Sequence, residues 1–227
     1  EIWVAHSGAG SLTVSGGGGA LAVEGSPVSM PYAPSTGEIV RLVYTAATSD
    51  EHVLSIVRDS GTVRIMGINC YDSAVPSVSV LNAGRAGWES TEWANGSGFE
   101  APLNGIAAVA PDLTLICLGL NDNSASLAIA TFESQMQAII DAALATGDVV
   151  LVVPVQPGGG GAASWPSYAT AIRELATTNA LPIVDMTSRF GSRAAVDDGG
   201  FASDTLHPNA EGYADMAYSV LALLNSI

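Results

Sequence analysis

The hydrophobic pattern of this chain changes period near residue 78, and that change calls for two kinds of architecture in one sequence. Up to about residue 77, short apolar stretches recur between Gly, Ser and Pro clusters, at 2–5, 11–15, 20–23, 38–45, 52–57 and 62–68. Val40, Leu42 and Tyr44 would share one side of a strand, with Arg41 on the other. Thr62-Val63-Arg64-Ile65 alternates after a turn at Asp59-Ser60-Gly61. No helical stripe occurs in this half. Strands at this spacing predict a small all-β domain, a sandwich or jelly roll, over residues 1–77.

From residue 78 strands alternate with helices. Val78-Ser79-Val80-Leu81 reads as a strand, followed by a helical stretch ending near Val109. Residues 113–118 form a nearly continuous apolar strand that includes Cys117, read as a buried thiol. Residues 127–146 form a helix with Phe132, Met136, Ile139 and Ile140 on one face. A strand at 148–155, a helix at 167–178, a short strand at 182–185 and a last helix at 209–226 complete the series. This order predicts an α/β domain over 78–227, with a mostly parallel sheet covered on both faces. Gly16–Gly19 and Gly158–Gly161 read as flexible loop tips. Neither is followed by the Lys-Ser/Thr of a phosphate loop.

Charge excludes several functions. The net charge is −15, and all 7 basic residues are Arg. Nucleic-acid backbones and anionic membranes are bound by clustered cations, which this chain lacks. No apolar run approaches the roughly 20 residues of a membrane-spanning helix. With 3 His and no cluster at ligand spacing, no metal or other cofactor is implied.

In open α/β sheets ligands bind beyond the carboxyl ends of the strands. Three segments hold such positions: Asn82-Ala83-Gly84-Arg85-Ala86-Gly87, Gly119-Leu120-Asn121-Asp122, and Asp204-Thr205-Leu206-His207-Pro208-Asn209 before the last helix. A carboxylate three residues before a His can accept from one ring nitrogen and leave the other free as a general base. Asp204 and His207 have that spacing, although the same residues also describe a turn and helix start, with Asn209 a good N-cap. Asn121 offers an amide donor for a developing oxyanion, and the Gly87 N–H a second. Trp88 and Trp93 could line a pocket, and packing is the plainer role for them.

Together these residues resemble the SGNH hydrolases, also called GDSL-type esterases. Gly119-Leu120-Asn121-Asp122 is similar to that family's Gly-x-Asn-Asp block, and Asp204-Thr205-Leu206-His207 to its final block. Asn82–Gly87 looks like its second block. The resemblance covers about 78–227. It implies a flavodoxin-like three-layer fold and a Ser–His–Asp hydrolase, with His207 and Asp204 catalytic and Gly87 and Asn121 in the oxyanion hole.

The family's first block, Gly-Asp-Ser, is absent. Asp59-Ser60 sits in a hairpin-like turn. Asp72-Ser73 leaves no room for a helix before Val78, and Ser7 follows a strand but precedes more strand-like sequence. Some family members acting on acetylated polysaccharides carry a β-sandwich between the first and second blocks. Residues 1–77 look like such an insert, with 2–15 as two strands around a Gly-rich turn. On this reading the first strand and the nucleophile are supplied by a segment upstream of residue 1. The expected activity is hydrolysis of acetyl or short acyl esters on a carbohydrate, in an extracellular or virion-associated setting. The alternative is a non-catalytic glycan-binding or structural component, such as part of a virus particle, built on a decayed SGNH fold.

Overall fold

A computed structural model describes residues 1–23, 26–33, 37, 39–48, 50–98 and 101–225. The chain forms two compact units. One comprises Glu1–Arg85 with Asn95–Val109, the other Ala86–Ala94 with Ala110–Ile227.

The first unit is built on a five-stranded antiparallel sheet in the order β3-β2-β4-β1-β5. Its strands are β1 (Ile2–Ser15), β2 (Ala20–Val23), β3 (Ser26–Pro27), β4 (Ile39–Thr45) and β5 (Ser55–Ile68). The expected strand from residue 38 therefore begins at Ile39, and Glu38 lies outside the described residues. Two expectations are corrected here. The stretches at 2–5 and 11–15 are one continuous strand, and Asp59-Ser60-Gly61 lies inside β5 instead of ending a strand. The long β1–β5 ladder absorbs the glycines by register shifts at Trp3/Val4, His6/Gly10 and Ser11/Leu12. A bulge lets a ladder resume where alternation breaks in the sequence. Ile2, Val4, Leu12 and Val14, all from alternate positions of β1, join Leu21, Val40 and Leu42 in one core. Trp3 points the other way, and its indole N–H donates to the Ala108 carbonyl at 3.1 Å. Ala108 lies in α2 (Pro102–Val109), so a helix belongs to the β-rich unit.

The stretch Val78–Leu81 is a further correction. It joins neither sheet, and Val78 is 91% and Val80 87% exposed. A strand exists only through a partner's backbone groups. In a flavodoxin-like order 2-1-3-4-5 this segment would pair with strand one alone. The described residues contain no such strand.

The second unit carries a parallel sheet in the order β6-β7-β8, formed by Leu113–Ile116, Asp148–Val153 and Ile183–Asp185. Leu113 pairs with Asp148 and Leu151 with Ile183 at the starts of the two ladders. Phe132, Met136, Ile139 and Ile140 of α4 (Ile129–Leu144) are buried, as the sequence stripe predicts. With α5 (Trp165–Thr178) this helix packs on β7. Val150, Val152 and Val184 meet a different set, including Phe190 of α6 (Met186–Phe190), Val196 of α7 (Arg193–Asp198) and Met216 and Val220 of α8 (Ala210–Leu224). The sheet is thus the middle of three layers. Among the described residues no strand pairs with the outer edge of β6, and Leu115 is 46% exposed. Cys117, expected to be a buried thiol within the strand, lies just beyond it as an exposed residue, while burial around its thiol pushes that group's pKa up to about 11.

Phe132 is fully buried, edge-to-face with Tyr168 at a centroid distance of 5.2 Å. Phe132→Ala is expected to lower unfolding free energy by about 3–5 kcal/mol, read by urea denaturation.

Candidate active site

Strand β6 ends in a sharp reversal at Gly119, whose φ is 111°. A Cβ there would also meet Phe132 at 3.3 Å, so only glycine fits. The reversal starts α3 (Leu120–Ala125), which places Asn121 and Asp122 in its first turn. Both reach the segment around Gly87. The Asn121 amide donates to the Trp88 carbonyl at 2.7 Å. Asp122 is fully buried, and its Oδ1 accepts from the Ser90 N–H at 2.8 Å and the Ser90 hydroxyl at 2.5 Å. Its Oδ2 is buried without a hydrogen-bond partner among the described residues. Ser90 opens the short helix α1 (Ser90–Trp93), whose Trp93 stacks edge-on against Trp88 at 5.0 Å. Gly87 has φ 78°, again a glycine conformation, and is exposed. An amide has two N–H donors. Asn121 spends one on the Gly87–Trp88 turn and keeps one.

Asp204 and His207 come together as the sequence predicts. His207 Nδ1 lies 2.9 Å from Asp204 Oδ2. The other carboxylate oxygen accepts from the backbone N–H groups of Leu206 and His207, each at 2.7 Å. The His207 N–H, the His207 ring and the Leu206 N–H together hold the Asp204 carboxyl well below the usual carboxylate range. Asp204 therefore stays ionised and fixes the imidazole with Nδ1 protonated. Nε2 has no hydrogen-bond partner among the described residues, and the ring is 60% exposed. Asn209 caps α8 by accepting from the Gly212 N–H at 3.0 Å.

The Gly158–Gly161 run is not a loose loop tip. The Gly158 N–H donates to the Thr205 carbonyl at 2.7 Å, within the Asp204–His207 turn. The Gly161 carbonyl accepts from the Asn123 amide at 3.0 Å, beside Asn121 and Asp122. A Cβ at Gly161 would lie 2.8 Å from that amide nitrogen. The run ties the Asn121 segment to the His207 turn, a role that four glycines in sequence do not announce.

Ser60 and Ser7 lie within strands, and Ser73 lies in a turn. Ser60 bonds Ser11 across the β1–β5 ladder at 3.0 Å, and the Asp59 carboxylate accepts from Thr13. The Asp72 carboxylate closes a turn onto the Ala74 N–H. Ser7 lies within β1 at a register shift, not after a strand. Among the described residues no serine hydroxyl bonds a ring nitrogen of His207.

A parallel sheet between two helical layers, with an aspartate-oriented imidazole and, apart from it, an amide donor beside a glycine turn, has the layout of the SGNH hydrolases. The family model of the GDSL-like lipase/acylhydrolases matches residues 69–214, and the chain belongs to that family. No curated protein matches the sequence. Among solved structures, the acetyl xylan esterase AlAXEase is similar with a TM-score of 0.52 and 20% identity, over 61% of this chain and 78% of its own. A peptidoglycan O-acetylesterase is similar with a TM-score of 0.57 and 16% identity, over 98% of this chain and 65% of its own. LAE5, an α/β hydrolase enzyme from the metagenome of Lake Arreo, Spain, gives a TM-score of 0.52 and 18% identity, over 63% of this chain and 71% of its own. At these identities the likeness is one of fold. By family the chain is an esterase-type hydrolase.

Proposed function

We propose that this chain carries the acid–base pair and oxyanion donors of a serine esterase that removes acetyl or another short acyl group from a carbohydrate. The observation that carries the reading is the His207–Asp204 pair, closed on the Nδ1 side and open at Nε2. In this mechanism a serine hydroxyl gives its proton to Nε2 as Oγ attacks the ester carbonyl. Asp204 stabilises the imidazolium that forms. The oxyanion is held by the Gly87 N–H and the second Asn121 N–H. Nε2 then protonates the departing alcohol, and water repeats the sequence to release the acid. The acyl group and its carrier are suggested by the fold neighbours, one an acetyl xylan esterase and one a peptidoglycan O-acetylesterase. Residues 1–77, read as a sandwich-type insert, would bind glycan, and the setting would be outside the cell or on a virion.

The nucleophile is proposed to come from an upstream segment bearing Gly-Asp-Ser and a strand for the open β6 edge. The sequence has no Gly-Asp-Ser, and that favours a second reading, a non-catalytic glycan-binding or structural component. Acetate release from an O-acetylated polysaccharide, by the chain together with such a segment, separates the two: release supports the esterase, and glycan binding without release supports the second.

In the assembled esterase, Asn121→Ala is expected to lower kcat by about 100- to 1000-fold with little change in KM, because an oxyanion donor acts on the transition state. Steady-state kinetics on an aryl acetate checks it. A raised KM with unchanged kcat would make Asn121 a ground-state binding residue.

A further inference from the structure

We propose that Arg193 is a positioning residue for the Asp204–His207 pair, its guanidinium fork holding the tip of the turn that aims His207. The proposal rests on the esterase reading and adds to it a residue that no motif of the sequence marks.

The turn has two separate needs, a shape and a place. Its shape comes from within. The Ser203 N–H donates to the His207 carbonyl at 3.0 Å, and Asp204 Oδ1 gathers the Leu206 and His207 N–H groups. Its two ends are pinned where the Asn209 N–H donates to the Phe201 carbonyl at 2.9 Å and Ala202 bridges Pro208. None of these bonds ties the tip to the rest of the fold. Arg193 does. From the first position of α7, Nη2 donates to the Asp204 carbonyl at 2.5 Å and Nη1 to the Thr205 carbonyl at 3.2 Å. The same side chain is fixed from behind by Asp197, with Nη2 at 2.6 Å and Nε at 3.0 Å from its Oδ1. The Arg193 side chain is only 12% exposed, against 53% for Asp197. A partly buried planar fork with most of its N–H groups engaged holds two successive carbonyls in one orientation, which a single ammonium cannot do.

A second clamp meets the first. The Thr205 carbonyl also accepts from the Gly158 N–H at 2.7 Å, so both of its lone pairs are used. A Cβ at Gly158 would lie 3.1 Å from that carbonyl oxygen and 3.6 Å from Arg193 Cγ, which places the glycine backbone against both. Among the described residues Arg193 makes no hydrogen bond or ion pair to the ring or the carboxylate of the pair. It fixes the backbone from which both project. Misplacing a catalytic group by about 1 Å can cost about 100-fold in rate.

The test uses Arg193→Ala and Arg193→Lys with two readouts. In the 227-residue chain, hydrogen–deuterium exchange by mass spectrometry is followed over residues 203–209. Arg193→Ala is expected to speed exchange there by about 10-fold or more, with the peptides of α8 unchanged. In the esterase assembled with its serine-bearing segment, kcat on an aryl acetate should fall by about 10- to 100-fold with KM within about 2-fold. Arg193→Lys keeps the charge but not the fork, serves as the second variant where alanine fails to fold, and should recover only a small part of both effects. Unchanged exchange over 203–209 in Arg193→Ala overturns the proposal, as does full recovery by lysine, which would make Arg193 a charge and not a fork. A wild-type assembly without ester turnover would instead sink the esterase reading, and the exchange experiment would still decide what Arg193 holds.

Discussion

His207→Ala, made in the chain joined to the proposed serine-bearing segment, is expected to abolish ester hydrolysis at almost no cost to the fold. The expected loss in kcat is on the order of 10⁴- to 10⁶-fold, the scale seen when one member of an interdependent triad is removed. The fold should survive for a structural reason. The ring is mostly exposed and opens no cavity when removed, and the His207 N–H that Asp204 accepts belongs to the backbone, which alanine retains. The ring's pairing with Asp204 is a surface contact of small worth to stability. Turnover of an aryl acetate and the thermal midpoint are measured on the same preparation. Unchanged turnover removes His207 from the mechanism. A collapsed midpoint assigns it to holding the turn.

The second large effect concerns the open sheet edge. The chain alone should be a poor esterase and prone to associate, because Leu115 and the unpaired backbone of β6 lie on an edge with no neighbour among the described residues. The stretch containing Val78 and Val80 adds exposed apolar surface. A segment bearing an apolar strand and Gly-Asp-Ser, fused or supplied in trans, is expected to restore solubility and to raise turnover from background by several orders of magnitude. A serine-directed phosphonate should then label the added serine. Light scattering, aryl acetate turnover and mapping of the label test all three points. A chain that is soluble, active and labelled at Ser7 without any added segment overturns the idea.

What could be read from the sequence was what depends on neighbours close along the chain. The stripe of Phe132, Met136, Ile139 and Ile140, the Asn209 cap, the Asp204–His207 spacing and the glycine before Asn121 are all local patterns, and each has its physical cause within a turn or two. The misreadings share a different cause. Gly8 and Gly10 break alternation, so β1 looked like two strands, yet β5 carries it across as one partner ladder with shifted register. Val78–Leu81 has strand composition, but composition cannot supply the neighbour a strand requires. Gly158–Gly161 looks like slack until the Thr205 carbonyl and the Asn123 amide are found against it. Arg193 had no signal at all, since its partners are carbonyls, which every residue has. Helices α6 and α7 are too short to show a periodic stripe in the sequence.

Helix α2 has a consequence for how this chain can be taken apart. The backbone leaves the β-rich unit after Arg85, returns at Asn95 and leaves again after Val109. Neither unit is therefore a single stretch of sequence. A fragment ending at residue 77 would leave the Trp3 indole without the Ala108 carbonyl it donates to, and a fragment beginning at 78 would carry α2 without the sheet it covers. A single cut between Arg85 and Asn95 therefore separates residues that one unit holds together.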